Sequence, residues 1–149
     1  MPTVLFLCTG NYYRSRFAEI YFNWLAAQRQ SPWQADSRGL ALDPNNMGPL
    51  SSHTRQILAR MKIPVPEPLR MPCDVALRDF QKADLIVAVK EAEHRLLMTR
   101  RFPDWADRIE YWHVHDLDCA TSDEALPQLE RHVVALIERL HGSDGTAGR

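Results

Sequence analysis

The sequence predicts an α/β fold: a single domain in which a four-stranded parallel sheet is flanked by helices on both faces. Three observations carry this prediction. Apolar, partly β-branched runs of strand length alternate with segments whose apolar residues recur every three or four positions. Strand-helix alternation of this kind builds a parallel sheet with right-handed crossovers. The chain has 149 residues, 45% of them hydrophobic and 25% charged, which suits one globular domain with one sizeable core.

The elements follow in order. Residues 3–7, Thr-Val-Leu-Phe-Leu, make the first strand. Thr9, Gly10 and Asn11 are turn residues. Phe17, Ile20, Tyr21, Trp24 and Leu25 then set a helix over residues 14–29, stopped by Ser31-Pro32. Residues 34–37 form a short second strand closing at Gly39. Residues 42–49 are a polar loop with Pro44, Gly48 and Pro49, and Ser51 or Ser52 caps a helix over residues 53–61. Four prolines keep residues 63–72 extended. A short helix is expected over residues 74–80. Residues 83–89, Ala-Asp-Leu-Ile-Val-Ala-Val, read as a central strand covered on both faces. A helix over residues 90–101 turns Ala92, Leu96 and Leu97 inward, and Pro103 follows it. Residues 109–114 are the fourth strand. Ser122 caps a last helix bearing Val133, Leu136, Ile137 and Leu140 on one face, with Gly142 ending it. The domain therefore spans residues 1–141, and residues 142–149 are expected to be a disordered tail.

The chemistry concentrates where the first strand meets the first helix. Cys8 ends the strand, and Arg14 and Ser15 open the helix. Loop amides and a helix N-terminus converge there on a spot that attracts an anion. Arg14 adds a guanidinium able to hold two phosphate oxygens. Helix N-termini and nearby cations favour the thiolate, which is the nucleophilic form of cysteine. Ser15 can donate to the sulfur as it attacks or leaves. Cys8, five residues, Arg14, Ser15 is thus a self-consistent device for phosphoryl transfer through a cysteinyl-phosphate. The phosphate-binding set is Thr9, Gly10, Asn11, Tyr12, Tyr13 and Arg14. The plainer alternative is a buried strand-end cysteine beside a surface arginine.

Residues 4–19, Val-Leu-Phe-Leu-Cys-Thr-Gly-Asn-Tyr-Tyr-Arg-Ser-Arg-Phe-Ala-Glu, resemble the opening of the low-molecular-weight protein tyrosine phosphatases and the related arsenate reductases. Length and element order match over nearly the whole chain. The resemblance implies a cysteine nucleophile, an arginine clamp and a distant aspartic acid as general acid. It also implies that a serine after the second strand supports the phosphate loop. Asp36-Ser37-Arg38-Gly39 resembles that element, so Ser37 is expected to bond Asn11 and hold it in a strained conformation that asparagine tolerates. Otherwise Asn11 is a turn former and Ser37 a strand-end serine. The resemblance makes residues 42–49 a wall of the cleft, with Met47 its apolar candidate.

A leaving alkoxide or phenoxide needs a proton, and the following hydrolysis needs a base; one carboxyl group can serve both steps. The segment His113-Val-His-Asp-Leu-Asp-Cys119 offers two. Asp116 aligns with the family's acid, with Leu117 where the family has proline, and Asp118 is the alternative acid. Two departures bear on specificity. No aromatic residues follow Asp116 to flank a phosphotyrosine ring, and Tyr13 stands where many members have a second cysteine. Tyr12 and Tyr13 either line the site or pack the loop against the helix.

The resulting expectation is a metal-independent phosphomonoesterase, acting on a phosphorylated protein or small molecule, with no cofactor. His113 and His115 are read as structural and not as metal ligands. The alternatives are an arsenate reductase using Cys73 and Cys119 in a disulfide relay, and a phosphate- or phosphoprotein-binding module with weak turnover. A net charge of −1 gives no case for nucleic acid or membrane-surface attraction. No apolar run reaches the roughly 20 residues of a membrane helix. Three cysteines and no visible signal peptide suggest a cytoplasmic protein. A monomer or weak dimer is expected.

Overall fold

The computed structural model describes residues 2–113 and 122–147, with side chains over 2–113 and 127–141. Nine elements run in the order β1 (Thr3–Cys8), α1 (Arg14–Gln28), β2 (Gln34–Gly39), α2 (Ser52–Arg60), α3 (Leu77–Lys82), β3 (Leu85–Ala88), α4 (Glu91–Arg101), β4 (Glu110–Tyr111) and α5 (Ser122–Ala147). The four strands form one all-parallel sheet in the order β2-β1-β3-β4. The chain is a single-domain α/β protein, as its alternating pattern predicts.

β1 shows why an unbroken apolar run belongs at the centre of such a sheet. Side chains alternate across a strand. Val4, Phe6 and Cys8 enter a core with Phe17 and Phe22 of α1 and Leu129, Val133 and Ile137 of α5. Leu5 and Leu7 enter a second core with Val75, Phe80, Ala88 and Met98. Both faces of β1 are therefore dry, and its end carries Cys8 to the edge of the packed layers. Phe6 sits at the middle of the larger core, its ring 6.0 Å from Phe22 and 5.7 Å from Trp112.

Several predicted boundaries move. The short helix begins at Leu77, not at residue 74, because residues 73–75 extend the sheet edge instead. Gly39 N donates to Cys73 O at 2.8 Å and Val75 N donates to Gly39 O at 3.0 Å. Asp79 then closes the first turn of α3 by accepting from Ala76 N at 2.8 Å. The inward face of α4 is His94 and Met98 with Leu97 partly covered, while Ala92 and Leu96 face solvent. A buried polar residue, His94, outranks two apolar ones there because its ring has hydrogen-bond partners in Glu93, Thr9 and Lys90 N. β4 shortens to two residues, and Val114 lies outside the described residues. α5 runs past the predicted stop at Gly142 to Ala147; extending an established helix adds one hydrogen bond per residue fixed, so a glycine slows it without ending it. Ser51, one of the two expected caps, is the N-cap of α2 and accepts from Thr54 N at 3.4 Å.

Candidate active site

The carboxyl end of β1, residues 9–13 and the start of α1 form one hairpin around Cys8. Leu40 N donates to Cys8 O and Ala41 N to Thr9 O, both at 2.9 Å, so the segment after β2 zips onto the loop. Gly39 makes this approach possible. A Cβ there would lie 2.9 Å from Thr9 O and 3.1 Å from Asn11 Cβ. Ser51 N donates to Tyr12 O at 2.9 Å and fixes the far side of the loop.

Cys8 is 2% exposed, and its Sγ lies 2.9 Å from Ser15 Oγ. The direction of that hydrogen bond follows from the neighbours. Arg70 Nη1 and Cys73 N both approach Asn11 Oδ1 at 2.9 Å, and both can only donate. Asn11 Nδ2 must then point the other way, donating to Ser15 Oγ at 2.9 Å and Ser37 Oγ at 2.8 Å. Ser15 keeps its own hydrogen for the sulfur. Ser37 passes its hydrogen to Glu19 Oε1 at 2.5 Å. Asn11, Ser15 and Ser37 are all fully buried. Asn11 has φ of 50°, the left-handed region that asparagine enters more readily than most residues. The expected contact between Ser37 and Asn11 is therefore present, together with the positive φ.

Charge surrounds this network. Burial pushes the Glu19 carboxyl above its usual range, against the attraction of Arg16 and the Ser37 hydrogen bond. Burial likewise pulls Arg16 down; its side chain is fully buried with Nη1 3.5 Å from Glu19. Burial also disfavours the Asp36 anion, but hydrogen bonds from Arg38, Ser37 N and Arg70 outweigh it and hold that carboxyl below its ordinary value. Arg70 crosses the cluster, donating also to Ser37 O at 2.5 Å and to Asp36 at 3.2 Å.

Arg14 stands at the other side of the loop, with Nη2 3.0 Å from Glu93 Oε2. The same carboxylate accepts from Thr9 Oγ1 and lies 3.0 Å from His94 Nε2. The His94 hydrogen bond, and then those of Thr9 and the Arg14 charge, hold Glu93 well below the usual carboxylate range despite partial burial. Tyr12 OH donates to Met47 O at 2.6 Å, tying the phosphate loop to the 42–49 loop, and Met47 itself is 83% exposed. Tyr13 packs on the larger core, its ring 6.3 Å from His53.

Residues 3–142 match the family model of the low molecular weight phosphotyrosine protein phosphatases. The chain belongs to that family. It is accordingly a hydrolase of the phosphatase type, with phosphorylated substrates. Solved structures agree. The low molecular weight protein tyrosine phosphatase from T. tengcongensis is 25% identical, with a TM-score of 0.78 over 93% of this chain and 99% of that one. The enzyme of the same name from Streptococcus pyogenes is 21% identical, with a TM-score of 0.79 over 94% of this chain and 93% of that one. The arginine phosphatase from Geobacillus stearothermophilus is 20% identical, with a TM-score of 0.74 over 96% of this chain and 95% of that one. The last two likenesses speak to the fold. A search of curated protein sequences finds no significant match.

Within this family frame, the structure brings together Cys8, Thr9, Gly10, Asn11, Tyr12, Tyr13, Arg14, Ser15 and Ser37. Asp116, Asp118 and Cys119 lie outside the described residues. Among the described residues, no group of three or more His, Cys, Asp or Glu is placed to hold a metal ion, and no helix is long and apolar enough to cross a membrane. Sequence reasoning missed Arg70, Glu19, Glu93 and His94. Glu93 and His94 had a usable signal: they follow β3 at its carboxyl end, the side on which parallel sheets bind ligands. Arg70 had none, being one residue in a proline-rich connection.

Proposed function

We propose that the protein hydrolyses phosphomonoesters, protein phosphotyrosine being one candidate substrate, through a cysteinyl-phosphate formed on Cys8 and without a metal ion. One observation carries the reading: the Ser15 hydroxyl is directed at the Cys8 sulfur by an asparagine whose own amide orientation is fixed. In the first step the Cys8 thiolate attacks phosphorus, the bond to the ester oxygen breaks, and Asp116 protonates the departing oxygen. Arg14 and the amides of residues 9–14 hold the equatorial oxygens as charge builds on them. In the second step the Asp116 carboxylate takes a proton from water, the water oxygen attacks phosphorus, and the sulfur leaves as a thiolate that Ser15 stabilises by donating to it. Asp118 is the alternative for the acid. Asn11 and Ser37 support the loop. A cytoplasmic location is part of the same proposal. Membership of a phosphatase family favours hydrolysis over arsenate reduction and over binding without turnover.

The test is release of nitrophenol from an aryl phosphate in the presence of chelator, with Cys8→Ser, Asp116→Asn and Asp118→Asn run beside the parent. Turnover should vanish with Cys8→Ser and fall about 10²–10⁴-fold with one aspartate change only. Turnover that survives Cys8→Ser, or that needs added metal, overturns the mechanism. Phosphotyrosine peptide and phosphoarginine, assayed in parallel, resolve the substrate class, because similar folds carry tyrosine and arginine phosphatases.

A further inference from the structure

The phosphate loop is held from two sides. On one, Asn11 locks Ser15 and Ser37. On the other, a single carboxylate gathers three donors from two distant segments: Thr9 Oγ1 and Arg14 Nη2 of the loop, and His94 Nε2 beneath them. His94 is fully buried, and its Nδ1 accepts from Lys90 N at 3.1 Å. Its ring hydrogen is therefore on Nε2, pointing up at Glu93, with Thr9 Oγ1 also 3.2 Å away. The Glu93 side chain is 34% exposed, so it sits at the rim of the site.

A negative group so close to Arg14 opposes the binding of a phosphate dianion. Its benefit must lie elsewhere, and the geometry supplies it. A free arginine side chain carries about 2 kcal/mol of rotamer entropy. Glu93 removes that freedom before substrate arrives. A guanidinium has five N–H donors, so one can meet a carboxylate and a phosphate at once. Resting on the phosphatase reading, we propose that Glu93, oriented by His94, is a positioning residue that presets the Arg14 guanidinium and the Thr9 turn for the transferring phosphoryl group.

The test is a double-mutant comparison on the full chain. Glu93→Gln and Glu93→Ala are made in the parent and in Arg14→Lys, which has no fork through which one group meets both partners. Both kcat/KM for an aryl phosphate and the dissociation constant of tungstate are measured, with thermal unfolding as a check on folding. In the parent, Glu93→Gln should lower kcat/KM about 10²-fold, the scale of a misplaced catalytic group, and weaken tungstate binding with it. In Arg14→Lys the same change should cost less than about threefold, because the residue it positions is already gone. Equal losses in both backgrounds would show a merely structural role and overturn the proposal; so would a Glu93→Gln enzyme that matches the parent. A parent that binds tungstate without turnover would sink the phosphatase reading while the tungstate comparison still judged Glu93.

Discussion

Asn11 makes four side-chain hydrogen bonds that tie the loop to Ser15, Ser37, Arg70 and Cys73, and its replacement tests their worth quantitatively. Asn11→Ala deletes four hydrogen bonds: two donated to Ser15 and Ser37, two accepted from Arg70 and Cys73 N. At about 1 kcal/mol net each, they are worth about 4 kcal/mol. Alanine at φ of 50° adds a left-handed cost of about 1–2 kcal/mol. Water entering the vacated space returns part of this, so the expected loss is about 3–5 kcal/mol, from a domain total of about 5–15 kcal/mol. Asn11→Gly removes the same hydrogen bonds without the φ penalty. Its greater unfolded-state entropy offsets about half of that relief, leaving it about 0.5–1 kcal/mol more stable than Asn11→Ala. Asn11→Asp is the sharper variant. It keeps shape and acceptor, but it turns the Ser15 hydroxyl toward its new oxygen and away from Cys8, so it should fold and lose turnover. Urea denaturation and aryl phosphate hydrolysis on the three variants measure these terms. An Asn11→Ala protein within about 1 kcal/mol of the parent, or an Asn11→Asp enzyme of parental activity, would refute the hydrogen-bond directions assigned to the loop.

Two further outcomes rest on packing and on protonation. Phe6→Ala empties a fully buried site between Phe22 and Trp112 and should cost about 3–5 kcal/mol in urea denaturation, by lost transfer energy and by the cavity left behind. Burial holds both His94 and His132 below the ordinary histidine value of 6.5, so the unfolded chain takes up protons more readily than the folded one. Stability is therefore full above about pH 6.5 and is lost as pH falls from there toward the depressed folded values. His94→Gln should flatten that decline, leaving the part due to His132, and an unchanged slope between pH 6.5 and 5 would contradict the assignment.

The sequence by itself determined the first strand, the loop and the first helix, together with the Cys8, Arg14 and Ser15 spacing on which the proposed nucleophile and its arginine rest. All of these lie within residues 3–28, where period-two and period-3.6 patterns and fixed spacing express local geometry directly. It also determined the sheet, because the runs at β1 and β3 can be buried on both faces only between helices. Ser37 was legible only through resemblance to a family motif. The tertiary structure alone decided what steadies the loop. Arg70 reaches Asn11 across 59 residues of sequence, and Glu93 reaches Thr9 across 84. No periodicity links positions so far apart; they meet because the β2-β1-β3 order sets the ends of three strands side by side. The inward face of α4 was misread for the same reason. Local hydrophobicity favoured Leu96, whereas the cost of leaving Glu93 and the loop unpartnered turned His94 inward.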